Sequence, residues 1–132
     1  MPNVACGVMM DNTGKILMGR RSNKSSHSGI WEFPGGKQES NETLEECLKR
    51  EWKEELNLKI NIEKCIYTSN QEDVVCTFFL GRIQDLHNLR VNVHEYIGLY
   101  LPEEVKKLRL FEGDINVIDS TQKSFITNIS FQ

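Results

Sequence analysis

The sequence predicts an α/β sandwich around a mixed β-sheet. An amphipathic helix stands out between residues 43 and 56, short strand-like apolar runs lie on both sides of it, and clusters of turn residues separate them. At 132 residues the chain is the length of one domain, and a single domain over residues 1–132 is expected.

Val4 to Met10 is an apolar run. Asp11-Asn12-Thr13-Gly14 forms a turn cluster before the Lys15 to Gly19 run, so the pair reads as a hairpin. Ser22 to Gly29 is small and polar, hence loop. Ile30-Trp31-Glu32-Phe33 alternates as a short strand that Pro34-Gly35-Gly36 should stop. Thr43-Leu44-Glu45-Glu46 matches the capping box that opens a helix, and Leu44, Leu48, Trp52 and Leu56 repeat every four residues to make one apolar face. Asn57 sits where a left-handed cap residue would end that helix. Leu58 to Thr68, Val74 to Ile83 and Val91 to Leu101 are β-prone. Pro102-Glu103-Glu104 opens a short helix, and a last helix is expected from Gly113 through Val117 to Phe125.

A net charge of −3 gives no general surface for polyanions, so nucleic-acid binding through bulk charge is not expected. The acidity is local. Residues 39 to 55 hold seven Glu against Lys49, Arg50 and Lys53, a balance of −4 that leaves the rest of the chain at +1. No apolar run approaches the length of a membrane span, and the first residues lack the basic start of a secretory signal. Cys6, Cys47, Cys65 and Cys76 have no close pairing, which suits packed free thiols in a reducing compartment; the expected location is the cytoplasm. The residues set no oligomeric state.

On a helix, Glu51, Glu54 and Glu55 project within one arc of its C-terminal half. Carboxylates so close repel unless a cation sits among them. An oxygen-only donor set suits Mg²⁺ or Mn²⁺ and not Zn²⁺, which takes His or Cys. The competing reading is a solvated acidic face with i,i+4 pairs such as Glu46 and Arg50.

The spacing decides between them. Gly36, Glu42, Arg50, Glu51, Glu54 and Glu55 supply six of the seven fixed residues of G-x5-E-x7-R-E-U-x-E-E-x-G-U, and this stretch resembles the Nudix box. At ordinary residue frequencies such a match arises by chance with a probability on the order of 10⁻⁵. Trp52 stands at an aliphatic position and Asn57 replaces the last Gly. Trp31-Glu32-Phe33-Pro34-Gly35-Gly36-Lys37, together with Gly7 and Arg20-Arg21, is similar to MutT-type nucleoside triphosphate diphosphatases; the similarity covers residues 4 to 58.

The resemblance implies a Nudix-like α/β/α sandwich. It further implies hydrolysis of a nucleoside triphosphate to monophosphate and pyrophosphate, with 8-oxo-dGTP the leading substrate. Glu51, Glu54, Glu55 and the Gly35 carbonyl would hold the divalent ions. Arg50 would orient Glu51, and Glu42 would support the loop–helix junction. Lys37 and Arg21 would lie near phosphates, each equally readable as a surface cation. Phe33 would face the base, or else be a core aromatic. Many family members add a downstream carboxylate as ligand or base; Glu95 is the nearest candidate in Asn92-Val93-His94-Glu95-Tyr96, with Val93 or His94 as alternatives. Asp114 falls where these enzymes carry a base-reading Asn, and is equally readable as a helix N-cap. No Arg within Glu72 to Thr77 matches the one that grips the purine in MutT-like sites. The alternatives are a CTP- or dCTP-type pyrophosphohydrolase and a non-catalytic nucleotide-binding module. Against the module stands the retention of all three helix carboxylates.

Overall fold

The structure is a computed structural model that describes residues 2–22, 29–71, 73–111 and 114–130, with the side chains of 71 and 123–130 left aside. Most of the loop expected over Ser22 to Gly29, and Gly113 ahead of the last helix, lie outside the described residues. Strands β1 (Asn3–Met10) and β2 (Ile16–Arg20) form the expected hairpin. Its turn is closed by Asp11, whose Oδ1 accepts the backbone N–H groups of Thr13 at 2.9 Å and Lys15 at 3.0 Å, while Gly14 takes a φ of 85°. Next come β3 (Trp31–Glu32), β4 (Gly35–Lys37), helix α1 (Leu44–Leu56), β5 (Ile60–Gln71), β6 (Val74–Ile83), β7 (Tyr96–Tyr100), the short α2 (Pro102–Val105) and α3 (Asp114–Ser130).

The strands make one mixed sheet in the order β3-β2-β1-β6-β5, with β4 added to β1 and β7 to β2. Among the named strands of the described residues, β1 and β6 run parallel and the remaining pairs are antiparallel. Alternation along the strands divides the core in two. Ala5, Met9, Leu17 and Phe79 pack with Leu48, Trp52 and Leu56 of α1. Val8, Met10, Met18 and Leu80 pack with Val117 and Ile118 of α3. A helix therefore covers each face, and each fully buried large side chain contributes about 1.5–3 kcal/mol.

Helix α1 begins and ends where the capping residues require. Thr43 Oγ1 accepts the Glu46 N–H at 3.1 Å and Glu46 accepts the Thr43 N–H at 2.9 Å. That engagement takes Glu46 away from the i,i+4 pair expected with Arg50. Asn57 takes φ 56° and ψ 38°, donating its N–H to Lys53. This region is costly for residues with a Cβ, and Asn and Gly are its usual occupants. Asn57→Ala should lower unfolding free energy by ~1–2 kcal/mol and Asn57→Gly by less, measured from urea midpoints at unchanged m-value.

Three expectations need correction. Pro34-Gly35-Gly36 does not end the sheet: Gly35 to Lys37 re-enter it as β4, paired Ala5↔Gly36 and Cys6↔Gly35. Glycine permits this, because a Cβ at Gly35 would collide with the Ala5 carbonyl. Of Val91 to Leu101, only Tyr96–Tyr100 forms a strand. The chain before it is pinned to the end of α1 instead, through Arg90 N–H to Leu56 O at 2.9 Å and Asn92 N–H to Glu55 O at 3.2 Å. The four cysteines are free as expected, yet Cys65 is exposed on β5 and only Cys47 is fully packed.

Candidate active site

Strands β1, β3 and β4, the end of α1 and the loop before β7 enclose a cavity of about 390 Å³. Of the residues singled out in the sequence, Arg21, Phe33, Gly35, Gly36, Lys37 and Glu55 line it. Val93 and His94, the alternatives to Glu95, line it too, as do Glu32 and Cys6, to which the sequence gave no catalytic or binding role. Glu51, Glu54, Arg50 and Glu42 form the adjoining box network. Glu95 is exposed, its backbone N–H bonded to Arg20 O at 3.0 Å, and is not a lining residue. Phe33 is a core aromatic, buried edge-on to Phe78 at 5.9 Å between ring centroids, and it also lines the cavity.

Arg50 organises the box. Its guanidinium donates to Glu42 at 2.8 and 3.1 Å, to Glu51 at 2.9 Å, to Glu54 at 3.3 Å and to the Lys37 carbonyl at 3.1 Å. Hydrogen bonds from Arg50 and from the Glu39 backbone pull the Glu42 carboxyl down to about 2. Glu42 is thus a fixed counter-ion that ties the loop after β4 to α1. Gly36 faces the Glu51 carboxyl, where a Cβ would collide. Trp52, the departure from the aliphatic pattern, is fully buried and donates its indole N–H to the Pro34 carbonyl at 2.8 Å. The Gly7 N–H donates to that same carbonyl at 3.0 Å, and a Cβ on Gly7 would stand 2.9 Å from the indole nitrogen. Helix α1 is thereby fastened to the residue preceding Gly35.

Electrostatically, the carboxylates of the cavity and of the adjoining box crowd one another. Burial raises the Glu51 carboxyl, and the Glu54 and Glu39 charges add to this against the pull of Arg50. Burial pushes Glu55 up to about 8, with further repulsion from Glu51, Glu32 and Glu54. Glu32 is different. Burial alone would raise it, but a hydrogen bond from His94 and the charge of Arg21 outweigh that and hold it below the usual carboxylate range. Its two oxygens are shared between His94 Nε2 at 2.9 Å and an Arg21 guanidinium nitrogen at 3.0 Å. Arg21 also lies over the Phe111 ring, 5.9 Å from its centroid.

Buried polar atoms are normally paired, so those left without partners mark places where something else belongs. Among the described residues there are four: Arg21 Nε, Glu55 Oε2, Ser69 Oγ and His94 Nδ1. Three of the four belong to residues lining this cavity. The donor set beside it also fits a hard divalent cation, being three carboxylates and a carbonyl with no soft donor. Among the described residues no three His, Cys, Asp or Glu side chains converge in ligating geometry. Glu51 and Glu54 are instead turned onto Arg50, while Glu55 Oε2 is left without a partner.

Asp114 is the first residue of α3 and is buried, its N–H donating to Phe111 O at 3.1 Å. It is not a lining residue, but it feels the charge of Glu32 and its own charge acts on Cys6, both of which are. No helix among the described residues is long and apolar enough to cross a membrane.

Comparison with known proteins agrees with this geometry. A family profile described as NUDIX domain matches residues 1–120. The chain is 29% identical over 116 residues to the CTP pyrophosphohydrolase of Escherichia coli (strain K12), covering 85% of each chain. It is 34% identical over 82 residues to the 8-oxo-dGTP diphosphatase of Proteus vulgaris, covering 59% of this chain and 73% of the other. The solution structure of the E. coli ORF135 protein matches at a TM-score of 0.76 and 25% identity, over 93% of this chain and 89% of that one. With the profile spanning nearly the whole described chain and the fold shared end to end, the protein belongs to the Nudix family.

Proposed function

We propose that this Nudix hydrolase converts a nucleoside triphosphate to the monophosphate and pyrophosphate, with an oxidised purine such as 8-oxo-dGTP as substrate. The observation that carries the reading is the cavity itself, where three buried polar atoms without partners stand beside a dense carboxylate floor and two cationic side chains. Glu51, Glu54, Glu55 and the Gly35 carbonyl would hold Mg²⁺ or Mn²⁺. When bound, the ion lowers the pKa of the attacking water and screens charge on the departing pyrophosphate. Arg50 orients Glu51 and Glu54 and neutralises Glu42. Arg21 and Lys37 bind phosphate oxygens and hold the chain in line for attack. Water adds to phosphorus, the bond to pyrophosphate breaks, and the proton passes to a carboxylate. Because Glu95 is exposed and away from the cavity, a box glutamate is the better base.

A second reading, a cytidine triphosphate as substrate, is favoured by the E. coli relative that matches 85% of both chains. Asp114 separates the two. Burial, reinforced by the charge of Glu32, raises its carboxyl to about 7. A protonated carboxyl offers one donor and one acceptor, as Asn does, whereas the ionised form only accepts. Asp114→Asn should therefore change the ratio of kcat/KM for 8-oxo-dGTP over dCTP by about tenfold at pH 8, where a bidentate contact of ~1–3 kcal/mol is at stake, and by less at pH 6. The same residue should make wild-type stability fall as pH rises from about 4 to about 7, because the unfolded chain loses this proton first. The Asn variant should lack that loss. If the ratio is unchanged at both pH values and the variant only melts earlier, Asp114 is a helix cap and the base is read elsewhere.

A further inference from the structure

Two of the glutamates that would hold the ion stand where a helix is least secure. Glu54 and Glu55 belong to the last turn of α1, and the last four carbonyls of a helix find no partner within it. Helix ends left in that state fray. In α1 these carbonyls belong to Lys53, Glu54, Glu55 and Leu56, and every one of them is occupied. Lys53 O accepts the Asn57 N–H at 3.0 Å, a bond internal to the cap. The other three are served by one segment more than thirty positions away. Arg90 N–H donates to Leu56 O at 2.9 Å. Asn92 takes the remaining two, its backbone N–H donating to Glu55 O at 3.2 Å and its Nδ2 to Glu54 O at 3.0 Å.

Asn92 therefore grips, by their main chain, the same two residues whose carboxylates would meet the ion. Its own position is fixed from both sides. Asn57 Nδ2 donates to Asn88 O at 3.0 Å, and Glu95 N–H donates to Arg20 O at 3.0 Å on β2. The side-chain bond needs an amide, because a carbonyl must be met by a donor and a carboxylate offers none when ionised. Glu54 is turned onto Arg50, and Glu55 Oε2 has no partner. Both carboxylates can be brought onto one cation by side-chain rotation alone only while the backbone beneath them keeps its place.

We propose that Asn92 is a positioning residue for metal binding: its two bonds hold the backbone of Glu54 and Glu55 so that both carboxylates can reach one divalent cation. The proposal rests on the metal-dependent reading above and deepens it. Without Nδ2 the last turn of α1 spends part of its time frayed, and apparent affinity for the ion falls with the fraction of molecules still competent to bind.

The test titrates the full chain with Mn²⁺, without nucleotide, and reads the bound ion by electron paramagnetic resonance. Asn92 is exposed, so Asn92→Ala empties no core and should fold. It should raise the Mn²⁺ Kd about fivefold, the scale of one lost hydrogen bond, and speed amide hydrogen exchange at residues 54–56. In assays, the Mg²⁺ concentration for half-maximal rate should rise by the same factor, and KM for the nucleotide at saturating Mg²⁺ should change far less. Thr43→Ala is the control. It removes the cap at the opposite end of α1 and should lower Tm by about 4 °C with Mn²⁺ affinity unmoved. If Asn92→Ala binds Mn²⁺ as wild type does and only melts earlier, Asn92 is a loop clasp and the proposal fails. It fails equally if both variants weaken Mn²⁺ binding alike, since loss of stability anywhere in α1 would then account for the effect. Wild-type protein that binds no Mn²⁺ removes the metal reading and this proposal together.

Discussion

Glu54→Gln should lower kcat by roughly 10³-fold or more while leaving the melting temperature nearly unchanged. Replacing one carboxylate of a hard-cation donor set by a neutral amide weakens a term worth several kcal/mol in the transition state. The fold should not notice, because the Glu54 side chain is 59% exposed and its ion pair with Arg50 at 3.3 Å is an i,i+4 surface contact, which contributes ~0–1 kcal/mol. The two effects differ so much in size that assay and thermal melt separate them cleanly. Unchanged turnover in Glu54→Gln would show that the acidic arc is a solvated helix face.

Trp52 should behave in the opposite way. It is fully buried between α1 and the sheet, and Trp52→Ala should cost ~3–5 kcal/mol of stability, a large part of the ~5–15 kcal/mol a domain has. Trp52→Phe keeps most of the packing and loses the indole N–H to Pro34 O. Its cost should be nearer ~1 kcal/mol, because the Gly7 N–H still serves that carbonyl. Urea unfolding of the two variants checks the order. Equal losses would mean that the hydrogen bond to Pro34, and not the ring volume, is what α1 depends on.

Local signals made the centre of the fold legible. Helix α1 could be bounded from Thr43, Glu46 and Asn57 because capping is chemistry within a few residues, and β6 could be bounded as a β-prone stretch between polar turns. The Gly35–Lys37 strand was not legible, since Pro and Gly signal a break and only the close approach to Ala5 shows why the chain returns to the sheet. The site divides along the same line. Residues inside or next to the box could be found by spacing. The Glu32–His94 pair could not, because 62 positions separate its members and the strand order β3-β2, with β7 added to β2, is what joins them. Glu95 was the nearest candidate in the loop before β7, with Val93 or His94 as alternatives; Val93 and His94 line the cavity, and Glu95 is exposed.

The products released show which phosphoanhydride bond the enzyme cleaves and whether cleavage needs a divalent ion. Wild-type protein is incubated with a nucleoside triphosphate, once with Mg²⁺ and once with chelator in excess, and pyrophosphate and orthophosphate are measured separately. Monophosphate and pyrophosphate should form in equal amounts with Mg²⁺, with no turnover in chelator. Release of orthophosphate, or turnover that persists in chelator, would contradict it.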